Sequence, residues 1–142
     1  MTVPAFITVR TQSTRLPEKC LLPFGDGNVL EHVIRRARHY GLDPIVCTSV
    51  DADDDVVEET AETEGVKCFP GPVLNKLQRW ADCCAAFEID AFHTVDADDP
   101  FFDGDEMKLS FRLLTEGGWD MVAPTVSSAQ GGASVGYSLT RA

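Results

Sequence analysis

Short apolar runs alternate with helix-like segments along the chain, and this alternation restricts the fold more than any other feature of the sequence. The apolar runs, each typical of a buried strand, are 3–9, 44–48, 66–69, 91–95 and 120–124. Apolar residues at helical spacing lie between them, near 29–41, 51–65, 73–87 and 106–115. Strands that alternate with helices form βαβ units. We therefore expect an α/β fold with a Rossmann-like, mostly parallel sheet and helices on both faces.

Local signals set the expected ends and faces of these helices. Gly41 and Gly65 stand where the first two helices should stop, because glycine adopts the left-handed backbone of a helix C-cap at little cost. Asp51 or Asp53 is the expected N-cap of the second helix. The third helix, from about Val73 to Phe87, is expected to carry an apolar side formed by Leu74, Leu77, Ala81 and Cys84.

The chain length of 142 residues is sufficient for one domain with a substantial core. We treat residues 1–142 as a single α/β domain. At its far end, 131–139 reads as a glycine-rich loop that leads into another strand. We therefore expect a truncation at the C-terminus, with this domain as the N-terminal part of a longer protein. Apolar surface left uncovered in that way would favour self-association into a homodimer.

The net charge of −11 restricts the partners of the chain. Nucleic acids and anionic membranes would repel an acidic protein, and no apolar run approaches the roughly 20 residues that span a bilayer. We expect neither partner. The five cysteines are odd in number and form no C-x-x-C pair. We interpret them as small core residues of a protein in the reducing cytoplasm, and not as metal ligands or disulfides.

Three cations, Arg10, Arg15 and Lys19, follow the first apolar run. Ligands of open α/β sheets bind beyond the carboxyl ends of the strands. A cationic loop at that place in an acidic chain predicts a polyanion site, and a triphosphate is the ligand we expect. Arg10 and Lys19 would hold different phosphates, while Arg15 would bind there or brace the loop against nearby carboxylates. The backbone amides of 11–14 would cradle phosphate oxygens.

An acidic loop, Asp96-Ala97-Asp98-Asp99, follows the fourth apolar run. Right-handed crossovers place the loops after the first and fourth strands at one edge of the sheet, so the two loops should meet over one cleft. Mg²⁺ is usually held by one or two carboxylates together with substrate phosphates and water. Asp98 and Asp96 are therefore candidate metal ligands. The alternative interpretation is a turn or helix-cap cluster before Pro100.

Four segments of the chain are similar to the motifs of one enzyme family. Residues 9–21 resemble A-R-x-x-S-x-R-L-P-x-K-x-L, and 27–33 are similar to the last seven positions of G-x-P-L-L-E-H-V, with Asn28-Val29 in place of the usual Pro-Leu. Residues 69–71 resemble an F-R-G turn, and 95–103 resemble T-G-D-x-P-L-I-D, with Asp96 where Thr is frequent. The chain thus resembles the cytidylyltransferases that activate acidic sugars: the acylneuraminate, Kdo (3-deoxy-manno-octulosonate) and spore-coat polysaccharide types.

The resemblance implies the nucleotide-diphospho-sugar transferase type of fold and a nucleotidyltransferase activity. CTP and the hydroxyl of an acidic sugar would give a CMP-sugar and pyrophosphate, for surface polysaccharide or glycan biosynthesis, with Mg²⁺ as cofactor. By position, it implies that the catalytic residues are Arg10, Lys19 and Asp98, and that Asp98 is the metal ligand. Asp96 departs from the family pattern and would either add a second carboxylate for the metal or cap the turn. It implies nucleotide binding by Arg10, Thr11, Ser13, Arg15, Lys19 and Gly71. Family members are longer, and their later portion supplies sugar contacts, a second metal-binding aspartate and usually a dimerisation arm.

Two other functions are open at this point. Asp96-Ala97-Asp98 also matches the D-x-D pattern with which metal-dependent glycosyltransferases hold a sugar nucleotide, although the cations of the first loop favour CTP. The other is a non-catalytic fragment that binds nucleotide without turnover. The three histidines, His32 and His39 on a helix pattern and His93 in a strand, are expected to be structural.

Overall fold

The computed structural model describes residues 2–9, 18–124 and 136–141. Its strands are β1 (Pro4–Thr8), β2 (Pro23–Phe24), β3 (Gly27–Asn28), β4 (Asp43–Ser49), β5 (Lys67–Gly71), β6 (Ala91–Asp96), β7 (Met121–Val122) and β8 (Ser138–Thr140). Its α-helices are α1 (Val29–His39), α2 (Asp55–Glu64), α3 (Lys76–Phe87) and α4 (Gly104–Gly117). Short 3-10 turns span Lys19–Leu21 and Ala52–Asp54.

Six of these strands form one sheet in the order β5-β4-β1-β6-β8-β7. β1 pairs in parallel with β4 and β6, and β4 pairs in parallel with β5. β8 lies antiparallel between β6 and β7. Each of the five apolar runs overlaps a strand of this sheet, so the predicted α/β fold with a mostly parallel sheet is confirmed.

Helices cover both faces of the sheet, as the alternation predicts. On one face, Ile7 packs with buried side chains of α1, α2 and α4. On the other face, Phe6 and Cys47 pack against α3, and the ring of Phe6 stacks on Phe92 with centroids 4.1 Å apart. Because successive side chains of a strand point to opposite faces, β1 is buried on both sides. The central strand of the sheet therefore belongs to two hydrophobic cores.

Capping residues fix the ends of the first two helices. The Asn28 side chain accepts from the Glu31 amide at 2.8 Å, and the Glu31 carboxylate accepts from the Asn28 amide at 3.1 Å. This capping box satisfies amides that have no partner inside α1. Gly41 and Gly65 follow α1 and α2 with φ of +75° and +71°, as predicted.

The predicted N-cap of α2 was wrong. Asp51 instead caps the 3-10 turn, where its carboxylate accepts from the Asp53 amide at 2.9 Å. Asp54 precedes α2 without capping it through its side chain. Its carboxylate is buried and accepts a hydrogen bond from the Ser49 hydroxyl. The 3-10 turn inserted ahead of α2 explains the difference.

The predicted start and apolar side of α3 were also wrong. The helix begins at Lys76, since the Asn75 side chain accepts from the Gln78 amide at 3.0 Å. Leu74 therefore precedes the helix, and both Leu74 and Leu77 are exposed. Ala81 is exposed as well, and Cys84 is the one member of the predicted apolar side that is buried. The buried side chains of α3 are Arg79, Trp80, Cys83 and Cys84.

A small antiparallel hairpin, β2–β3, precedes α1 and was not predicted.

A chain of buried polar groups connects β8 to its neighbours. His93 Nδ1 lies 2.8 Å from Ser138 Oγ, and Ser138 Oγ lies 2.9 Å from Ser110 Oγ. These bonds join β6, β8 and α4, which is the structural role expected for His93. Within the three described ranges, no helix is long and apolar enough to cross a membrane.

Candidate active site

A cleft of about 180 Å³ opens where the parallel strands β1 and β6 end. Thr8 and Asp96 are register partners at the last positions of these two strands. The lining residues are Thr8, Val9, Lys19, Cys20, Asp96, Ala97 and Asp98. The cleft therefore lies beyond the carboxyl ends of the strands, where open α/β sheets bind ligands.

The Lys19 ammonium lies 2.6 Å from an Asp98 carboxylate oxygen in this cleft. Lys19 begins a 3-10 turn that is anchored by Cys20, which is only 4% exposed and packs in the core. Both charged side chains are 41% exposed. An ion pair so open to water contributes at most about 1 kcal/mol to stability. Its importance is that opposite charges from two distant loops meet at one place.

The backbone of the acidic loop separates the roles of its carboxylates. The amide of Ala97 donates to the carbonyl of Thr8 at 3.3 Å, and the amide of Asp99 donates to the carbonyl of Asp96 at 3.1 Å. These bonds hold Asp96 and Asp98 at the cleft. The Asp99 carboxylate instead accepts from the Phe101 amide at 3.1 Å. The turn-forming alternative therefore describes Asp99, whereas Asp96 and Asp98 line the cleft.

The Asp96 carboxyl lies in a mixed electrostatic environment. Burial raises its pKa, the neighbouring charge of Asp98 raises it further, and the cations of Lys76 and Lys19 oppose the rise. The residue still exposes much of its surface, so water screens these effects in part. Two carboxyl groups, at Asp96 and Asp98, are thus available as oxygen ligands on one side of the cleft.

The carboxyl groups suit a magnesium ion better than a fully protein-bound metal. No group of three or more His, Cys, Asp or Glu residues that could hold a metal occurs in the described part of the chain. Mg²⁺ usually takes only one or two carboxylates and completes its shell with substrate phosphates and water. The oxygen donors of Asp96 and Asp98 therefore fit Mg²⁺ together with a bound nucleotide.

Beside the cleft, where α3 meets the end of β1, lie residues that sequence reasoning missed. The Trp80 indole N–H donates to Thr8 Oγ1 at 2.9 Å, which fixes this ring at the end of β1. Lys76 places its ammonium 4.9 Å from the centre of the Trp80 ring. Tyr137 packs against Trp80 with ring centroids 6.1 Å apart. The Asn75 cap was a signal for the start of α3, but nothing local in the sequence shows that Lys76 and Trp80 lie beside the end of β1.

The structure brings three of the predicted site residues together: Lys19, Asp96 and Asp98. Gly71 ends β5, which β4 separates from β1, and it does not line this cleft. The remaining predicted residues, Arg10, Thr11, Ser13 and Arg15, lie outside the described residues.

The cysteines are free thiols, and four of them are buried. Cys20 lines the cleft, but burial raises its pKa to about 11. A thiol of that pKa is protonated near neutral pH and is a poor nucleophile. The core interpretation of Cys20 therefore agrees with its environment.

Comparisons with known proteins connect this geometry to a family. Residues 5–133 match the model described as Cytidylyltransferase. Spore coat polysaccharide biosynthesis protein SpsF of Bacillus subtilis is 28% identical over 120 residues, which are 80% of this chain and 50% of that protein. The chain spans about half the length of the curated relatives that it matches.

Solved structures show the same fold. A cytidylyltransferase from Leptospira borgpetersenii serovar Hardjo-bovis is 28% identical with a TM-score of 0.86, over 99% of this chain and 61% of that one. A structure of CMP:2-keto-3-deoxy-manno-octonic acid synthetase in complex with CTP has a TM-score of 0.75 at 16% identity, over 99% of this chain and 75% of that one. At that identity the second similarity concerns the fold alone.

Proposed function

The chain belongs to the cytidylyltransferase family, and we propose that it serves CTP-dependent transfer of CMP to the hydroxyl of an acidic sugar. The observation that carries this proposal is the meeting of Lys19 and Asp98, 2.6 Å apart, over the carboxyl ends of β1 and β6. A triphosphate needs cations, and its metal needs carboxylates. Both are present in one cleft.

In the proposed complex, Lys19 leaves Asp98 and binds the triphosphate together with Arg10. Thr11, Ser13 and Arg15 complete the nucleotide-binding loop, and Gly71 belongs to a more distant part of the nucleotide site. Gly71 has no room for a side chain, since an added Cβ would lie 2.5 Å from Cγ of Arg79. This packing offers a reason for glycine at that turn that does not require direct contact with the nucleotide.

Asp98 and Asp96 would hold Mg²⁺ in the same complex. Bound there, the metal would neutralise phosphate charge and help to align the reacting oxygen atoms. Lys19 and Arg10 would bind the phosphate oxygens that gain negative charge as the reaction proceeds. Loss of the Lys19–Asp98 ion pair costs little, because both side chains are open to water. Lys19 and Asp98 can therefore pair in the ligand-free protein and separate, at little cost in free energy, when the substrate binds.

The reaction is a displacement at the α-phosphorus of CTP. A hydroxyl oxygen of the sugar forms the new P–O bond, the bond to the β-phosphate oxygen breaks, and the hydroxyl proton passes to solvent. Pyrophosphate leaves with the bonding electrons. Positioning and charge neutralisation are the main contributions of the protein in phosphoryl chemistry of this kind. Backbone hydrogen bonds of the acidic loop would position the carboxylates, and Lys19 with the metal would neutralise the phosphate charge.

The acidic sugar is proposed from the relatives. The synthetase solved with CTP is named for 2-keto-3-deoxy-manno-octonic acid, and the Bacillus subtilis relative is named for spore coat polysaccharide biosynthesis. A product for surface polysaccharide or glycan assembly is consistent with both names. Lys76 lies close enough to Asp96 for its charge to oppose the rise that burial causes in the pKa of that carboxyl, and it adds a cation that an acidic substrate would need.

Calorimetric titration of CTP, UTP and GTP into the chain, with and without Mg²⁺, tests the proposal. We expect binding that requires Mg²⁺ and favours CTP. A UDP-sugar is titrated in parallel, and binding of it in preference to CTP would instead favour a glycosyltransferase. Binding of CTP without formation of pyrophosphate, when an acidic sugar is supplied, would identify a nucleotide-binding module. Absence of nucleotide binding would contradict the proposed site.

A further inference from the structure

Two lysines approach the cleft from opposite helical layers. Lys19 precedes Cys20, which packs in the core shared by α1, α2 and α4. Lys76 lies over Trp80, which packs in the other core together with Phe6 and Phe92. Trp80 bonds to Thr8 at the end of β1, and the charges of Lys19 and Lys76 both act on Asp96 at the end of β6, so the two ammonium groups approach the same sheet edge from its two faces. An anionic ligand bound between them would be contacted from both sides.

The two lysines differ in their partners. Lys19 is paired with Asp98 at 2.6 Å. Lys76 has no ion pair within 4 Å among the described residues, although the chain has 23 acidic residues and only 12 Lys and Arg. In such an acidic chain, an exposed cation has many chances to find a carboxylate. Lys76 instead rests on an aromatic face, which leaves its N–H donors available to a ligand.

The aromatic support of Lys76 is rigid. Trp80 is 3% exposed, and its ring packs against Phe92 with centroids 5.6 Å apart. Its indole N–H donates to Thr8 Oγ1, and Thr8 lines the cleft. Because Lys76 and Trp80 are one helical turn apart on α3, the ring keeps the lysine stem beside the end of β1. The position of the ammonium is thereby coupled to the sheet edge.

From these contacts we infer that Lys76 is a further substrate-binding residue, which contacts an oxyanion of a ligand bound in the cleft from the α3 side. The oxyanion is a phosphate of the nucleotide or the carboxylate of the acidic sugar. The inference rests on the proposed function, because it assigns Lys76 to the same substrates. It adds a cation that none of the four family-like segments contains.

Three variants separate charge from packing. Lys76→Met keeps an apolar stem over Trp80 and removes the ammonium, whereas Lys76→Arg keeps the charge. Lys67→Met is the matched control, because Lys67 is also exposed and also lies over an aromatic ring, with its ammonium 5.6 Å from the centre of Phe87. Lys67 begins β5 at the opposite, amino end of a parallel strand. It therefore shares the local chemistry of Lys76 without its place at the cleft.

The experiment is calorimetric titration of cytidine, CMP and CTP with Mg²⁺, followed by initial rates with 2-keto-3-deoxy-manno-octonic acid. If Lys76 contacts a phosphate, Lys76→Met weakens CTP about tenfold and leaves cytidine unchanged, which corresponds to one hydrogen bond to a charged group. CMP weakens by the same factor when the contact is to the α-phosphate and is unchanged when it is to the β- or γ-phosphate. If Lys76 contacts the sugar carboxylate, CTP affinity is unchanged and KM for the sugar rises by a similar factor. Lys76→Arg restores most of either loss.

Two results would overturn the inference and leave the proposed function intact: Lys76→Met that matches the wild type in every titration and rate, or Lys67→Met that loses as much. Asp98→Asn, titrated in parallel, reports on the proposed site itself. A wild-type chain that binds no nucleotide at all would overturn the proposed function and this inference together.

Discussion

The Lys19 ammonium and the Asp98 carboxylate lie 2.6 Å apart although they belong to loops that are distant in the sequence. The parallel pairing of β1 with β6 brings these loops together, because both strands end at the same edge. In the free protein each charge neutralises the other. In the proposed complex, substrate and metal would replace this pair by contacts of their own.

Substitution of either member of the pair should weaken nucleotide binding. Asp98→Asn is expected to reduce the Mg²⁺-dependent part of CTP affinity, since an amide is a poor ligand for a hard cation. Lys19→Ala should cost about 1.5 to 3 kcal/mol of binding free energy, which is typical of hydrogen bonds to charged groups. Calorimetric titration measures both. Asp99→Asn is the matched control, because that carboxylate bonds to the Phe101 amide instead of facing the cleft. Unchanged CTP affinity in both site variants would contradict the assignment.

The metal-dependent binding should also weaken in acid. Burial and the Asp98 charge raise the pKa of Asp96, so this carboxyl takes up a proton at a higher pH than an ordinary aspartate does. A protonated carboxyl no longer competes as a metal ligand. The affinity for Mg²⁺ with CTP is therefore expected to fall as the pH is lowered through this raised pKa. Asp96→Asn should remove that part of the pH profile. An identical profile in the variant would show that another group is responsible.

Gly71 is predicted to be required for packing. Its backbone has an ordinary negative φ, but an added Cβ would lie 2.5 Å from Cγ of Arg79, a buried side chain that donates to the carbonyls of Pro72 and Val73. Gly71→Ala should lower the free energy of unfolding by about 1 to 3 kcal/mol, as overpacking does. Urea denaturation measures the loss. Gly41→Ala is the contrasting variant: its space is open, and only the backbone at φ +75° opposes it.

The thiols are expected to react slowly in the folded protein. Burial raises the pKa of Cys20 and Cys84 to about 11 and that of Cys68 to about 12. Since the thiolate is the reactive form, a chromogenic disulfide reagent should label the native chain slowly at about pH 8 and label all cysteines rapidly in denaturant. Fast native labelling at this pH would show that the thiols are more accessible than their burial indicates.

The same pKa values predict a loss of stability in alkali. A raised folded-state pKa means that the folded chain retains thiol protons which the unfolded chain has released. The resulting stabilisation is complete below the ordinary thiol value of 9.0 and is lost as the pH rises toward about 11. The midpoint of urea denaturation should therefore decrease over that interval. A midpoint that stays constant there would contradict the burial of Cys20 and Cys84.

Trp80 should serve as an internal reporter of the cleft. The chain has two tryptophans, and Trp119 is 62% exposed whereas Trp80 is 3% exposed. In Trp119→Phe, the remaining emission should come from a buried indole and should shift to longer wavelength on unfolding. Because the Lys76 ammonium lies 4.9 Å from the ring centre, CTP with Mg²⁺ should alter this emission if the ligand draws the lysine away. Insensitivity to saturating CTP would indicate that Lys76 keeps its place over Trp80.

The sequence predicts the regular part of the fold because its apolar periodicity is strong. The strands that contain Phe6, Ile45 and Phe92 are buried apolar runs. Gly41 and Gly65 follow the ends of α1 and α2 because glycine readily adopts a positive φ. The hairpin β2–β3 was missed because its strands have only two residues each, although Gly25-Asp26 is a recognisable turn signal. Helix α3 was placed too early because apolar Leu74 and Leu77 outweighed the polar Asn75 cap.

The candidate site was predictable only where charge stands out in the sequence. Lys19, Asp96 and Asp98 follow apolar runs, so their common edge follows from the topology alone. Lys76 and Trp80 belong to α3. They lie near the same edge because Trp80 bonds to Thr8, an ordinary residue at the end of β1. Their association depends on how α3 packs against β1. No local pattern contains that information.

The position of β8 also affects the order in which the molecule can be completed. β8 lies between β6 and β7, yet its residues, Ser138–Thr140, are made after both of these strands. Until β8 has been synthesised, the edge of β6 that pairs with β8 is unpaired, and β7 lacks the strand with which it pairs in the described structure. The ribosome must therefore release the chain through Thr140 before β8 can close this side of the sheet. During that interval a chaperone or a second nascent chain would meet an unpaired strand edge beside an already folded parallel half.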